Sequence, residues 1–149
     1  MFKLLLILGL CFVQIFAEAS HPRFSCDFDS VHGVPSQPAD TLPYNLQVSG
    51  YDYNPGTTIT VTIDGDTFRG FYIRAFDEAS REPSGTWKES TSLHAMDRCN
   101  AAIQADREDK ESVELKWNSP PEGSGKVYFK ALVMKDYSTY WSDLILKEN

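Results

Sequence analysis

The stretch that decides the fold runs from Thr57 to Phe76 and reads TTITVTIDGDTFRGFYIRAF. Its first half alternates strictly between apolar residues and threonines, which is the period-two pattern of a strand with one buried and one wet face. The apolar positions are Ile59, Val61 and Ile63, and the polar positions are Thr58, Thr60 and Thr62. We therefore predict a half-buried strand in this half of the stretch.

The second half predicts another strand with an irregularity near its start. Asp64-Gly65 separates the halves, and Asp-Gly is a strong signal for a tight turn. Phe68 and Phe71 are three residues apart, so an unbroken strand places them on opposite faces. A bulge at Gly70 turns both phenylalanines inward. The residues that this bulge keeps buried are Phe71, Ile73 and Ala75.

Segments on both sides of this stretch predict further strands. The predicted strands are Tyr44–Tyr53, Ala101–Ala105, Glu111–Asn118, Lys126–Lys135 and Tyr140–Lys147; Leu93–Cys99 is ambiguous, and Asp77–Ser92 is a polar loop around Trp87. Turn signals such as Asn54-Pro55-Gly56 recur about every eight to twelve residues, and no segment keeps a 3.6-residue apolar period. This pattern predicts an all-β fold, an antiparallel sandwich or barrel.

The N-terminal residues 1–19 have the pattern of a secretory signal peptide. Lys3 supplies a positive charge, Leu4–Val13 is apolar, and Ala17-Glu18-Ala19 is a small-x-small cleavage pattern. The apolar run is too short for a comfortable membrane span. We expect cleavage after Ala19, with Ala17 as the alternative; a core helix does not account for the residues that flank the apolar run.

The remaining chain, 20–149, is predicted to form one domain. About 130 residues is a common size for a domain with its own core. Its first part, 20–43, contains four prolines and no periodicity, so we expect an extended leader that lies over the domain. The polar C-terminal residues Lys147-Glu148-Asn149 differ from the hydrophobic tail of a GPI signal. We therefore expect a soluble, secreted protein without a membrane span.

The charge balance excludes two classes of partner. The 149-residue chain has a formal net charge of −7 at pH 7. Sequence-independent binding of nucleic acid relies on an excess of lysine and arginine, and adsorption to anionic membranes relies on basic amphipathic stretches. We expect neither partner for this protein.

Two cysteines remain in the mature chain, because Cys11 belongs to the predicted signal peptide. Cys26 and Cys99 form an even pair in an oxidising compartment, so one disulfide is the leading interpretation. Two buried free thiols are the alternative.

Short motifs spread along the chain resemble the reeler (reelin-type) domain family, specifically its small secreted insect defense proteins. No single motif is decisive, but their order and spacing are specific. The motifs are Cys26, Pro43-Tyr44, Tyr53-Asn54-Pro55-Gly56, Phe68-Arg69-Gly70-Phe71 with Ile73 and Ala75, Cys99, Leu115-Lys116-Trp117 followed by Pro120, Gly125–Ala131, and Tyr140-Trp141.

This resemblance implies an immunoglobulin-like antiparallel β-sandwich of about seven to nine strands and a disulfide between Cys26 and Cys99. It also implies an extracellular protein of the haemolymph with a role in innate immunity and the antibacterial response. Its expected partners are bacterial or fungal surface polymers, namely lipopolysaccharide, lipoteichoic acid and β-glucan. The alternative is an adhesive module that binds host matrix or a cell-surface protein. The sequence leaves the oligomeric state open.

The sandwich topology adds an alternative for Asp64-Gly65. Consecutive strands of an immunoglobulin-like fold sometimes cross between sheets, so this dipeptide closes a hairpin or forms an arch to the other sheet. The sequence leaves both interpretations open.

No catalytic or metal-binding motif stands out in the sequence. His21, His32 and His94 are too far apart in sequence for the paired spacing of a zinc site. A calcium site at Asp52, Asp64 and Asp66 lacks the further ligands of a full loop. We expect a non-enzymatic protein without a cofactor.

The candidate ligand-binding residues combine aromatic rings with cations. Tyr72 and Tyr128 are out of phase with the core residues beside them, so they face outward. Aromatic faces stack on sugar rings, and nearby cations bind hydroxyls or phosphates. The candidates are Arg69, Tyr72, Arg74, Tyr128 and Lys130. The alternative is that the tyrosines only cover the edges of the sandwich.

Overall fold

The computed structural model describes residues 25–28 and 31–149, which form two antiparallel β-sheets. The strands are β1 (Tyr44–Val48), β2 (Asp52–Tyr53), β3 (Thr58–Phe68), β4 (Gly70–Asp77), β5 (Thr86–Trp87), β6 (Leu93–Met96), β7 (Ala101–Gln104), β8 (Lys110–Asn118), β9 (Gly125–Asp136) and β10 (Thr139–Leu146). Three short 3-10 helices span Val31–Gly33, Ala39–Thr41 and Asp97–Cys99.

The two sheets differ in size. The four-stranded sheet has the order β1-β3-β8-β5, and the six-stranded sheet has the order β10-β9-β4-β7-β6 with β2 paired to β9. The predicted all-β sandwich is confirmed. Residues 25–28 and 31–149 contain ten strands, because β2 and β5, of two residues each, add to the longer strands.

Apolar side chains at alternate positions of the long strands fill the space between the two sheets. Ile59, Val61 and Ile63 of β3 are at most 2% exposed, as the opening pattern predicts. Trp117 of β8 is fully buried and makes edge-to-face contacts with Tyr53 and Phe129. Other buried residues on the inner faces are Leu115, Ile73, Ala75, Val127, Ala131 and Val133.

Asp64-Gly65 does not make a turn, so this prediction is wrong in both its forms. Strand β3 continues to Phe68 and pairs with β1 through this dipeptide, with Tyr44 opposite Gly65. Gly65 has a φ of 119°, and a Cβ there would lie 2.5 Å from the carbonyl oxygen of Pro43. The glycine therefore permits close approach of the chain that enters β1.

The predicted bulge at Gly70 is also wrong, although Phe68 and Phe71 are both buried as expected, at 0% and 2% exposure. Strand β4 pairs with β9 from Gly70 to Asp77 without a register shift. The chain changes sheets at Arg69, between β3 and β4. The two phenylalanines belong to facing sheets, which is why both point into the core.

Other segments refine the sequence expectations. The predicted strand Tyr44–Tyr53 is split between the sheets as β1 and β2, and the predicted loop around Trp87 contains β5. The ambiguous Leu93–Cys99 is a strand followed by a 3-10 helix. The turn at Asn54-Pro55-Gly56 is confirmed, since the Thr57 amide donates to the Asn54 carbonyl oxygen at 3.1 Å.

The described part of the leader lies along β10. The Gln37 amide donates to the carbonyl oxygen of Tyr140 at 2.8 Å, and the Trp141 indole donates to the Thr41 hydroxyl at 3.0 Å. The predicted signal peptide, its cleavage site and residues 20–24 lie outside the described residues. Within 25–28 and 31–149, no helix is long and apolar enough to cross a membrane.

Candidate functional site

The outer face of the six-stranded sheet brings together four of the five predicted ligand-binding residues. The register of β4 against β9 places Arg74 opposite Lys130 and Phe76 opposite Tyr128. Tyr72 is two residues from Arg74, so it has the same orientation. Arg69 is separate, because it lies where the chain changes sheets and forms an ion pair with Asp109 at 2.7 Å.

Residues 25–28, which we call the leader strap, cover part of this face. A disulfide joins Cys26 to Cys99, with their Cα atoms 5.5 Å apart. The carbonyl oxygen of Cys26 accepts hydrogen bonds from the Tyr72 hydroxyl at 2.9 Å and from the Arg74 guanidinium at 3.2 Å. The predicted disulfide is therefore part of an anchor for the leader.

This anchor gives Arg74 and Tyr72 a structural role. Arg74 is 8% exposed, and its Nε also donates to the Cys99 carbonyl oxygen at 3.0 Å. Burial raises the pKa of Tyr72 above its ordinary value, although the positive charge of Arg74 opposes the shift. We assign these two side chains to holding the leader strap and remove them from the proposed ligand contacts.

Phe28 of the strap occupies the surface between two of the candidates. Its ring makes an edge contact with Tyr72 at a centroid distance of 5.1 Å. The Lys130 ammonium lies 5.5 Å from the centroid of the same ring, within the range of a cation–π contact. One side of Lys130 is therefore against the strap, and its other side faces Tyr128.

The part of the outer face that the leader strap does not cover carries a second group of side chains. We call Arg81, Tyr128, Lys130 and Lys147 the cationic–aromatic patch. Tyr128 stacks on Phe76 with centroids 5.3 Å apart and planes 17° apart. The Arg81 guanidinium lies 5.5 Å from the Tyr128 centroid. A cavity of about 260 Å³ at the patch is lined by Glu78, Arg81, Tyr128, Lys130, Ile145 and Lys147.

The three cations of the patch form no ion pair with any residue in the described part of the chain. Elsewhere, cations such as Lys126 and Lys135 are paired with carboxylates. The patch is thus a local positive region on an acidic protein. Its single carboxylate is Glu78, whose Oε2 is buried without a hydrogen-bond partner.

Two patch residues, Arg81 and Lys147, were missed by the sequence analysis. Arg81 reaches the face because the loop after β4 folds back, with the Ser80 amide donating to the Asp77 carboxylate at 2.8 Å and the Arg81 amide to the Asp77 carbonyl at 2.9 Å. Asp at the first position of a turn is a local signal for such a loop. Lys147 directly follows β10, whose last paired residue is Leu146 opposite Phe129, and no local signal places it beside Tyr128.

The described residues contain no group of three His, Cys, Asp or Glu side chains that could hold a metal ion. Asp52 and Asp66 pair with lysines, and Asp64 accepts a hydrogen bond from Asn45. His32 stacks on Tyr137, and His94 lies 3.2 Å from Glu89. His21 lies outside the described residues.

Comparison with known families identifies the domain. The sequence model of the Reeler domain matches residues 24–148. This chain belongs to the reeler domain family. Proteins similar to this reeler domain include "Putative defense protein 2" of Antheraea mylitta, 31% identical over 134 residues that cover 80% of this chain and 81% of that protein. "Putative defense protein" of Locusta migratoria is 28% identical and covers 86% of this chain and 77% of that protein.

Larger proteins and solved structures also match this reeler domain. Ferric-chelate reductase 1 of Mus musculus is 29% identical over 118 residues, which cover 74% of this chain but only 19% of the reductase. The crystal structure of the Reelin-N domain of F-spondin superposes with a TM-score of 0.56 at 26% identity, covering 72% of this chain and 87% of that chain. The human F-spondin reeler domain has the same TM-score at 24% identity over 72% of this chain and 89% of that chain, which supports the fold.

Proposed function

We propose that this reeler domain is an extracellular defense protein that binds anionic saccharides of microbial surfaces without catalysis. The relatives from Antheraea mylitta and Locusta migratoria, which carry defense names and nearly match this chain in length, support the defense role. The observation that carries the binding role is the stack of Tyr128 on Phe76 beside three unpaired cations.

The chemistry of the cationic–aromatic patch suits a phosphorylated or carboxylated sugar. A sugar ring stacks on an aromatic face through its C–H groups, while Lys130, Lys147 and Arg81 supply charge-assisted hydrogen bonds to its anionic groups. The whole chain carries a net charge of −7, so long-range attraction does not drive this binding. Recognition depends on contacts at the patch itself.

Binding without turnover agrees with the lining of the site. Glycan hydrolysis generally uses two carboxyl groups, one as an acid and one as a base or nucleophile. The cavity at the patch is lined by one carboxylate, Glu78. The similarity to ferric-chelate reductase 1 covers only 19% of that protein, and we propose no reductase activity.

A binding panel of the purified protein against lipopolysaccharide, lipoteichoic acid and β-glucan tests the proposal. The two phosphorylated polymers are expected to bind more tightly than neutral β-glucan, and more weakly as salt is added. Tyr128→Ala and the double variant Lys130→Gln, Lys147→Gln are expected to lower affinity for lipopolysaccharide about tenfold or more.

Lys88→Gln is the matched control, because Lys88 is exposed, forms no ion pair within residues 25–28 and 31–149, and lies beside the four-stranded sheet. Equal binding by the parent and both patch variants would overturn the proposed site. Retention on host cells together with indifference to all three polymers would favour the adhesive alternative.

A further inference from the structure

A second recess lies on the outer face of the six-stranded sheet, at the opposite end from the cationic–aromatic patch. It consists of two cavities, of about 180 Å³ and about 400 Å³, which share Gln104 and Met134 in their lining. We call this recess the Gly70 groove. Its charged lining residues are Arg69, Arg107, Asp27 and Asp136, of which Asp27 lies 3.8 Å from the Arg74 guanidinium.

The groove exists because Gly70 has no side chain at the start of β4. Its partner across the sheet is Met134, and a Cβ on Gly70 would lie 3.2 Å from the Gln104 side chain. In the next row Tyr72 lies between Leu132 and Ile103. The floor is therefore apolar, and flexible Met134 adapts to a chain of irregular shape.

Hydrogen-bond donors collect at one end of this apolar floor. The Oε1 atom of Gln104 accepts from the Phe71 amide at 2.9 Å, which leaves its amide N–H groups without a partner among the described residues. Arg107 also has no ion pair in that part of the chain, whereas Arg69 is paired with Asp109 at 2.7 Å. The free donors are thus the Gln104 amide and the Arg107 guanidinium.

One carboxylate, Asp136, lines the same end. It accepts from the Ser138 amide at 3.0 Å and from the Ser138 hydroxyl at 3.3 Å. These hydrogen bonds, led by that of the amide, hold the pKa of Asp136 below its ordinary range. Asp136 therefore keeps its negative charge, and an anion is favoured where it contacts the Arg107 guanidinium and the Gln104 amide directly.

An exposed aromatic pair forms the rim of the groove. Tyr137 is 72% exposed, the highest value among the large apolar residues of the described chain. Its ring stacks on His32 with centroids 3.6 Å apart. Both rings line the larger cavity, so they extend its apolar wall outward from the sheet.

We propose that the Gly70 groove binds a single-chain fatty carboxylate. The alkyl chain lies along Ile103, Leu132 and Met134, and the carboxylate accepts from Arg107 and the Gln104 amide. Inorganic anions leave the apolar floor unfilled. The larger cavity, of about 400 Å³, lies within the range of small-molecule pockets, about 300–1,000 Å³, and the recess as a whole suits one alkyl chain better than a two-chain lipid. This site is independent of the saccharide patch.

Displacement of a fluorescent fatty acid, 11-(dansylamino)undecanoic acid, tests this proposal on the purified protein. Dodecanoate is expected to displace the probe about tenfold more effectively than dodecanol, which has the same chain without the charge. Acetate and inorganic phosphate, which lack the chain, are expected to leave the probe bound. Arg107→Gln is expected to reduce the preference for dodecanoate over dodecanol, and Gly70→Val to block both.

Lys147→Gln and Lys88→Gln are the controls, since both lie outside the groove and are expected to keep parental affinity for dodecanoate. The proposal is overturned if the parent does not bind the probe, or if phosphate displaces it as well as dodecanoate does. It is also overturned if folded Arg107→Gln keeps the full preference for dodecanoate. Arg107 is exposed, so this last outcome decides even if Gly70→Val does not fold.

Discussion

The guanidinium of Arg74 donates a hydrogen bond to the carbonyl oxygen of Cys26 at 3.2 Å. The same side chain donates to the Cys99 carbonyl oxygen at 3.0 Å, so one buried cation holds the backbone on both sides of the disulfide against β4. A buried charge is costly unless it is hydrogen-bonded. The leader strap and Arg74 therefore stabilise each other.

Replacement of Arg74 by Gln is expected to lower the free energy of unfolding by about 2–3 kcal/mol, since charge-assisted hydrogen bonds to two carbonyl oxygens are lost. Urea denaturation followed by tryptophan fluorescence measures the change. Arg81→Gln, at an exposed position, is the control, with an expected loss below about 0.5 kcal/mol. A variant at Arg74 with parental stability but reduced lipopolysaccharide binding would return this residue to the ligand site.

Loss of the disulfide is expected to cost more than loss of Arg74. Cys26 and Cys99 are 73 residues apart in sequence, and closing a loop of this size stabilises by about 4 kcal/mol in the chain-entropy treatment. The double variant Cys26→Ser, Cys99→Ser should lose about this much free energy of unfolding. Reducing agent should lower the urea midpoint of the parent and leave that of the double variant unchanged. An unchanged parent midpoint would contradict the prediction.

The parts of the fold that the sequence predicts are those set by local alternation. Ile59, Val61 and Ile63 are buried because a period of two determines the face of a strand wherever the strand lies. The same rule places Tyr72 and Tyr128 on the outer face. Such patterns give the orientation of each side chain without any knowledge of which strands are neighbours.

The errors come from contacts between distant parts of the chain. Gly65 meets the carbonyl oxygen of Pro43, a contact that the Asp-Gly dipeptide does not reveal. In the leader strap, the Cys26 carbonyl oxygen accepts hydrogen bonds from Tyr72 and Arg74, so these side chains are no longer available to a ligand. Only the folded chain shows that the strap and a ligand would compete for them. Asp77 indicates the turn that precedes Arg81, but nothing local shows that this loop and Lys147, which follows β10, meet Tyr128 at one cavity.

Gly85 is expected to be intolerant of any side chain. It has a φ of 70°, and a Cβ there would overlap the indole ring of Trp117, which is fully buried. Gly85→Ala therefore combines backbone strain with a clash in the core, and we expect a loss of about 3 kcal/mol or more in the free energy of unfolding.

Gly123→Ala is the matched control for this substitution. Gly123 has a φ of 84° but no atom within 4 Å of its Cβ position, so only the conformational cost of about 1 kcal/mol remains. Urea denaturation of both variants separates the two effects. Equal losses would show that the ring of Trp117 moves aside at little cost.

Tyr53 and Asp77 are expected to make stability depend on pH. The Tyr53 hydroxyl donates to the Asp77 carboxylate at 2.5 Å, and this bond is the main reason why the pKa of Asp77 lies below its ordinary value. A lowered folded-state pKa adds stability above the unfolded-state pKa, and this stability is lost as the pH falls through the folded-state value.

Tyr53→Phe should therefore lower the free energy of unfolding by about 1 kcal/mol near neutral pH, and the difference from the parent should shrink in acid. Urea denaturation across the acid range measures this difference, with Tyr137→Phe, at an exposed ring, as the control. A difference that stays constant down to the most acidic pH would instead show that the contribution of the Tyr53 hydroxyl does not depend on the charge of Asp77.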